Sequence, residues 1–128
     1  MSALSVAGAL VSQPYGFTVS NHYYPFSTTT ASAYIQEVAE EYGVDASQLE
    51  KTIKCESQFK PDAWNKEDHL GGAKGIAQFL QPTFDRYSKQ MGFEEADVWN
   101  PYDAMRVMAY MFSIGEERQW TCFRKLYG

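Results

Sequence analysis

A succession of apolar stripes at helical spacing, each with its own start or stop signal, confines this chain to a mainly α fold. From Ser32, the residues Ile35, Val38, Ala39 and Tyr42 recur at steps of three or four, and Gly43 follows as a C-terminal stop. Asp45 offers the next N-cap, with Gln48 three residues on as the reaching-back partner of a capping box. Leu49, Ile53 and Glu56 then share one helix face. Pro82 suits the first turn of a third helix, with Phe84, Tyr87 and Met91 inward and Gly92 at its end. Asn100-Pro101-Tyr102-Asp103 joins a cap, a first-turn proline and an early acid; Met105, Met108, Ala109 and Phe112 form the stripe behind it, and Gly115 stops it. A last helix from about Glu116 carries Trp120, Phe123 and Leu126. The Met-rich stripe reads as core. Residues 61–75 read as a loop, Ile76 to Leu80 is too short to classify, and no run of strands or internal repeat emerges.

Residues 1–30 are rich in Ser, Thr, Gly and Tyr and are broken by Pro14 and Pro25. They read as an extended N-terminal arm whose aromatics pack on the domain or on a protein partner, which leaves 31–128 as a single domain. A chain of 128 residues, 45% hydrophobic and 16% aromatic, can bury one ordinary core. Eleven basic against sixteen acidic residues give a net charge of −5, which disfavours nucleic acid or an anionic membrane as partner. No run approaches the roughly 18 apolar residues of a membrane span. The opening Ser2 to Val11 is mildly apolar but has no Lys or Arg before it, a poor secretory signal as it stands.

The cysteines are Cys55, beside Glu56, and Cys122 in the last helix. Two readings stand: a disulfide tying that helix to the one carrying Glu56, or two buried thiols acting as small hydrophobes. No metal or other cofactor is expected, since there is no Cys-x-x-Cys and His22 and His69 lack partners at ligand spacing. Gly71-Gly72-Ala73-Lys74-Gly75 lacks the Gly-Lys-Ser/Thr ending of a phosphate loop and follows no strand. Glu56 carries more information. An apolar stripe ending in a carboxylate sends that carboxylate toward the core or a cleft wall, where desolvation raises its pKa. The alternative is a frayed helix end with the side chain in water.

The segment Glu56-Ser57-Gln58-Phe59-Lys60-Pro61-Asp62-Ala63 resembles the catalytic segment of the lysozyme-like lytic transglycosylases of the soluble murein transglycosylase type. In those enzymes a Glu-Ser pair is followed by an aromatic residue and Pro-x-Ala. Gly75-Ile76-Ala77-Gln78 with Pro82-Thr83 is similar to their Gly-Leu-Met-Gln loop and Pro-x-Thr, in the same order and at similar spacing. The resemblance covers roughly residues 32–115. Two departures stand out: 103–108 carries no glycine where the family reads Asn-Ile-x-x-Gly, and the family's Ala-Tyr-Asn segment has no match. Tyr110, Trp120 and Tyr127 are the candidates for its tyrosine.

The resemblance implies a lysozyme-like domain that cleaves peptidoglycan glycan strands outside the cytoplasm, in the periplasm, the cell wall or a virion. It implies Glu56 as general acid and then base, with a 1,6-anhydromuramyl product. Ser57, Gly75, Ile76, Gln78 and Tyr110 follow as substrate-binding candidates. Most glycosidases need two carboxylates, but Asp62, Glu67 and Asp68 read as solvated charges of a polar loop. A muramidase, or a non-catalytic cell-wall-binding or virion structural module, are the alternatives.

Overall fold

The computed structural model describes residues 25–128; most of the arm proposed for 1–30 lies outside them. Helix α1, Thr28–Tyr42, begins four residues before the expected Ser32. Its start was hidden because the cap is made by a Ser-Thr pair in a Thr-rich run without apolar periodicity. The Ser27 hydroxyl accepts from the Thr30 N–H, and the Thr30 hydroxyl accepts from the Ser27 N–H. Gly43, at φ 69°, ends the helix in the left-handed conformation. Helix α2, Ala46–Ser57, is capped by the Asp45 carboxylate, which accepts from the N–H groups of Ser47 and Gln48. The Gln48 main chain, rather than its side chain, is what engages the cap.

The segment read as a loop contains three two-residue strands, β1 (Trp64–Asn65), β2 (Ala73–Lys74) and β3 (Phe79–Leu80), in one antiparallel sheet of that order. Trp64 pairs with Lys74 and Asn65 with Ala73; Ala73 pairs in turn with Leu80. Strands this short show no alternation that a sequence pattern could reveal. Helix α3 spans Gln81–Gln90 and α4 spans Pro101–Ser113, with Asn100 accepting from the N–H groups of Tyr102 and Asp103.

Helix α4 is the central element, packed against α1 and α3 and buried well beyond one stripe. Met105, Met108 and Met111 are fully buried beside Ile35, Val38, Leu49, Ile53 and Phe84. Unbranched Met side chains suit such a position because they fill irregular gaps between helices. Along one edge Arg106 ties α4 to α1, donating to Glu41 at 2.8 Å and to the Tyr34 hydroxyl at 3.1 Å.

The final helix is interrupted. Residues Glu117–Gln119 form a 3₁₀ turn, Trp120 is extended at ψ 124°, and only then does α5, Thr121–Tyr127, begin. The extended Trp120 sends its ring into the core, where it meets Phe79 edge-on and Phe112 at a tilt. That break shifts the register of everything after it, so Leu126 is 46% exposed and does not join the stripe expected of it.

Candidate active site

Leu49 and Ile53 anchor α2 in the core, and the same face carries Glu56 out to its edge in the last helical turn. The chain then leaves the helix abruptly. Gln58 and Phe59 both have positive φ, 54° and 63°, an unusual pair of non-glycine residues. The turn brings Ser57 against the loop before β3, where its hydroxyl donates to the Ile76 carbonyl at 2.6 Å. The end of α2 is thus fixed from two sides, by Ser57 inside and by Cys55 outside. Cys55 is bonded to Cys122 of α5, with Cα atoms 5.9 Å apart.

Glu56 lines a cleft of about 440 Å³ between α2, the sheet and α5. Its Oε2 accepts a hydrogen bond from the main-chain N–H of Cys122 at 3.1 Å. Burial pushes its pKa above the ordinary 4.5. The Cys122 N–H works against that rise, as do the positive charges of Lys125 and Arg124, while the negative charge of Asp68 adds to it. The carboxyl is therefore only partly desolvated and keeps its proton to a higher pH than a free glutamate.

The other walls come from every side of the fold. Asn65, Asp68 and His69 line the cleft from the β1–β2 hairpin. Asn65 sits beside Trp64, and their side chains point to opposite faces of the strand. Gln78 and Thr83 contribute from β3's approach and from α3; Gln119, Trp120, Thr121 and Lys125 contribute from the C-terminal segment. Gln78 is held in a left-handed conformation, φ 53°. Its Nε2 donates to the carbonyls of Ala63 and Gly75, which leaves its Oε1 to accept from a ligand. Trp120 is pinned by its indole N–H on the Ala77 carbonyl at 2.8 Å.

Among the residues singled out from sequence, Glu56 and Gln78 meet in the cleft, together with Asp68, Trp120 and Cys122. Ser57, Gly75, Ile76, Tyr110 and Tyr127 do not line it. Ser57 spends its hydroxyl on the Ile76 carbonyl and does not line the cleft. Ile76 is fully buried core. Gly75 has a reason within the fold to be glycine: at φ 78°, a Cβ there would sit 2.7 Å from the Val98 carbonyl oxygen. Tyr110 points away because it lies one residue, about 100° of helix, from the cleft-lining Met111. Its hydroxyl accepts from Gln90 at 2.8 Å and its ring packs on Tyr42. Tyr127 stacks on Phe123 outside the cleft.

Asp68 is an exposed charge, as expected of its polar loop. It also lines the cleft and acts electrostatically on Glu56. Its loop gave no local signal, since only pairing of β1 with β2 folds residue 68 back toward residue 56. The positions of Gln119, Thr121 and Lys125 are likewise set by the tertiary fold alone. The described residues contain no group of three or more His, Cys, Asp or Glu side chains able to hold a metal ion. No helix among them is long and apolar enough to cross a membrane.

A family model described as the transglycosylase SLT domain matches residues 33–119. Comparison with curated proteins and with solved structures returns no match. The matched segment contains α2, the sheet, α3 and α4. It stops one residue short of Trp120, so the strand of chain that closes the cleft beside Glu56 lies beyond it.

Proposed function

The chain belongs to the transglycosylase SLT family, and from that premise we propose that Glu56 is the general acid and base of a peptidoglycan lytic transglycosylase. The observation that carries this reading is the half-buried Glu56 carboxyl in the cleft wall, with a raised pKa and one oxygen already hydrogen-bonded. Such a group keeps its proton to a higher pH than a free glutamate and delivers it in a fixed direction.

In the reaction, Glu56 gives its proton to the glycosidic oxygen between N-acetylmuramic acid and N-acetylglucosamine, and the bond from that oxygen to the muramyl C1 breaks. The substrate's acetamido oxygen stabilises the positive charge at C1. Glu56, now a carboxylate, takes the proton of the muramyl 6-hydroxyl, whose oxygen bonds to C1 and closes the 1,6-anhydro ring. Gln78 Oε1 and the Asn65 amide are placed to bind N-acetyl or hydroxyl groups of the glycan. The substrate puts the site of action outside the cytoplasm, where peptidoglycan lies.

One observation favours a second reading. Asp68 brings another carboxylate to the cleft, and a carboxylate there could orient water in place of the 6-hydroxyl, making the enzyme a muramidase. We favour the transglycosylase because Asp68 remains exposed on its hairpin. Product analysis decides: anhydromuramyl ends support the transglycosylase, and reducing ends support the hydrolase. Loss of wall-lysing activity in Glu56→Gln tests the acid itself. Undiminished activity in that variant would remove the mechanism, and a wild-type protein that binds walls without lysing them would indicate a non-catalytic module.

A further inference from the structure

A covalent bond and a hydrogen bond converge on one residue beside the acid. Cys55 immediately precedes Glu56, and its disulfide partner Cys122 is the residue whose N–H donates to Glu56 Oε2. Helix α5 has only seven residues, too few to be stable by itself. Beyond Phe123 its side chains are exposed. Trp120 and Phe123 seat it in the core, with the Trp120 indole N–H held on the Ala77 carbonyl, and the bridge is the covalent link that ties its first turn directly to α2 beside Glu56.

We propose that Cys122, through its main-chain N–H, is a positioning residue for Glu56, and that the Cys55–Cys122 bridge holds that N–H on the carboxyl. The inference rests on Glu56 being the acid. An N–H donor on Oε2 disfavours a proton on that oxygen, so the acid form carries its proton preferentially on Oε1. The bond strengthens as the carboxyl gives up its proton, because hydrogen bonds to charged acceptors are the stronger ones. The N–H thus stabilises the carboxylate formed when the glycosidic oxygen is protonated.

The charged groups facing Glu56 are Lys125 and Arg124 from α5 and Asp68 from the hairpin, with His69 beside it in the cleft. α3, α4 and the 3₁₀ turn offer Thr83, Met111 and Gln119, none of them charged. Releasing α5 removes the N–H and the nearby positive charges together while Asp68 stays. Those losses disfavour the carboxylate, whereas the water admitted when α5 leaves relieves the burial that raises the Glu56 pKa and favours it.

Two measurements test this. In the oxidised wild type, the Cys122 amide proton followed by NMR should shift downfield as Glu56 ionises, and should lose that titration in Glu56→Gln. An amide signal indifferent to pH overturns the contact without recourse to any variant of the bridge. Second, Cys55→Ala/Cys122→Ala, shown to be folded by circular dichroism, is assayed on purified cell walls across pH. Wild type treated with dithiothreitol is assayed beside it; the dithiol attacks the bridge from its exposed Cys55 side, gives it two electrons and two protons and closes to its own ring disulfide. The expected result is a rate about tenfold to a hundredfold lower, the loss that accompanies one hydrogen bond to a charged group, and an alkaline limb displaced from its wild-type position. A folded, bridge-free protein with unchanged rate and alkaline limb overturns the proposal and leaves the disulfide a purely stabilising one. Failure of the acid assignment looks different: Glu56→Gln would then lyse walls as well as the wild type.

Discussion

At the scale of single residues, the balance of charges around Glu56 makes predictions of opposite sign. The acid must be protonated for the first step, so activity falls as pH rises through its pKa. Removing the negative charge in Asp68→Asn should lower that pKa and bring the alkaline limb to lower pH; removing the positive charge in Lys125→Gln should move it to higher pH. Parallel shifts in both variants would contradict the electrostatic account, and pH–activity curves on purified walls supply the measurement. Glu56→Gln should lower wall lysis by at least the roughly 10²–10⁴-fold that general acid–base catalysis contributes. The same substitution should also stabilise the fold at neutral pH. Because the folded pKa lies above the unfolded value, the folded state binds the proton more tightly, and wild-type stability declines as pH rises from 4.5 through the folded value. The stability gap between Glu56→Gln and wild type should therefore open over that window and close below it, which thermal melts at several pH values will reveal.

Among the elements, the junction of α2 with the loop before β3 is the most exposed to test, because residues there read as ligand groups from sequence have roles within the fold. Ser57→Ala leaves the buried Ile76 carbonyl without its 2.6 Å donor, at a cost of about 1–3 kcal/mol. Gly75→Ala should be worse, since it combines an unfavourable φ of 78° with a contact at 2.7 Å to main-chain oxygen. Both variants should lower the denaturation midpoint. Because neither side chain lines the cleft, Ser57→Ala should retain wild-type affinity for the glycan once folded; a large loss of binding with unchanged stability would return Ser57 to the substrate. Gln78→Ala provides the contrast, with weakened binding expected from loss of its cleft-facing amide oxygen.

For the molecule as a whole, the bridge between Cys55 and Cys122 closes 67 residues of chain and joins the two ends of the cleft-forming unit. Its removal should cost about 2–5 kcal/mol, the range for small domains that rely on a disulfide. Denaturant titrations of Cys55→Ala/Cys122→Ala against the oxidised wild type measure this, and equal midpoints would mean that the core alone sets the stability. The core is substantial: α4 is buried on most of its surface, and its methionines fill the space between α1, α2 and α3. A Met108→Ala variant should accordingly lose about 2–5 kcal/mol through the cavity it leaves.

What the sequence determined by itself was local. Caps at Asp45 and Asn100, stops at Gly43 and Gly115, and stripes such as Met105-Met108-Phe112 depend on neighbours within one or two turns, and the helices they define are those observed. Glu56 could be singled out because its motif is contiguous and its helix face is set by the period of 3.6. The start of α1 escaped notice because a Ser-Thr capping box carries no apolar signal, and the sheet because two-residue strands have no period. The cleft was decided only by tertiary structure. Tyr110 and Met111 are adjacent in sequence, yet helix rotation sends one to Tyr42 and the other to the cleft. Asp68 reaches Glu56 only through strand pairing, and the Cys122 N–H only through the extended break at Trp120. Such contacts link residues a dozen to 66 positions apart, and their energy is paid out only when the whole core has formed, so no local pattern could encode them.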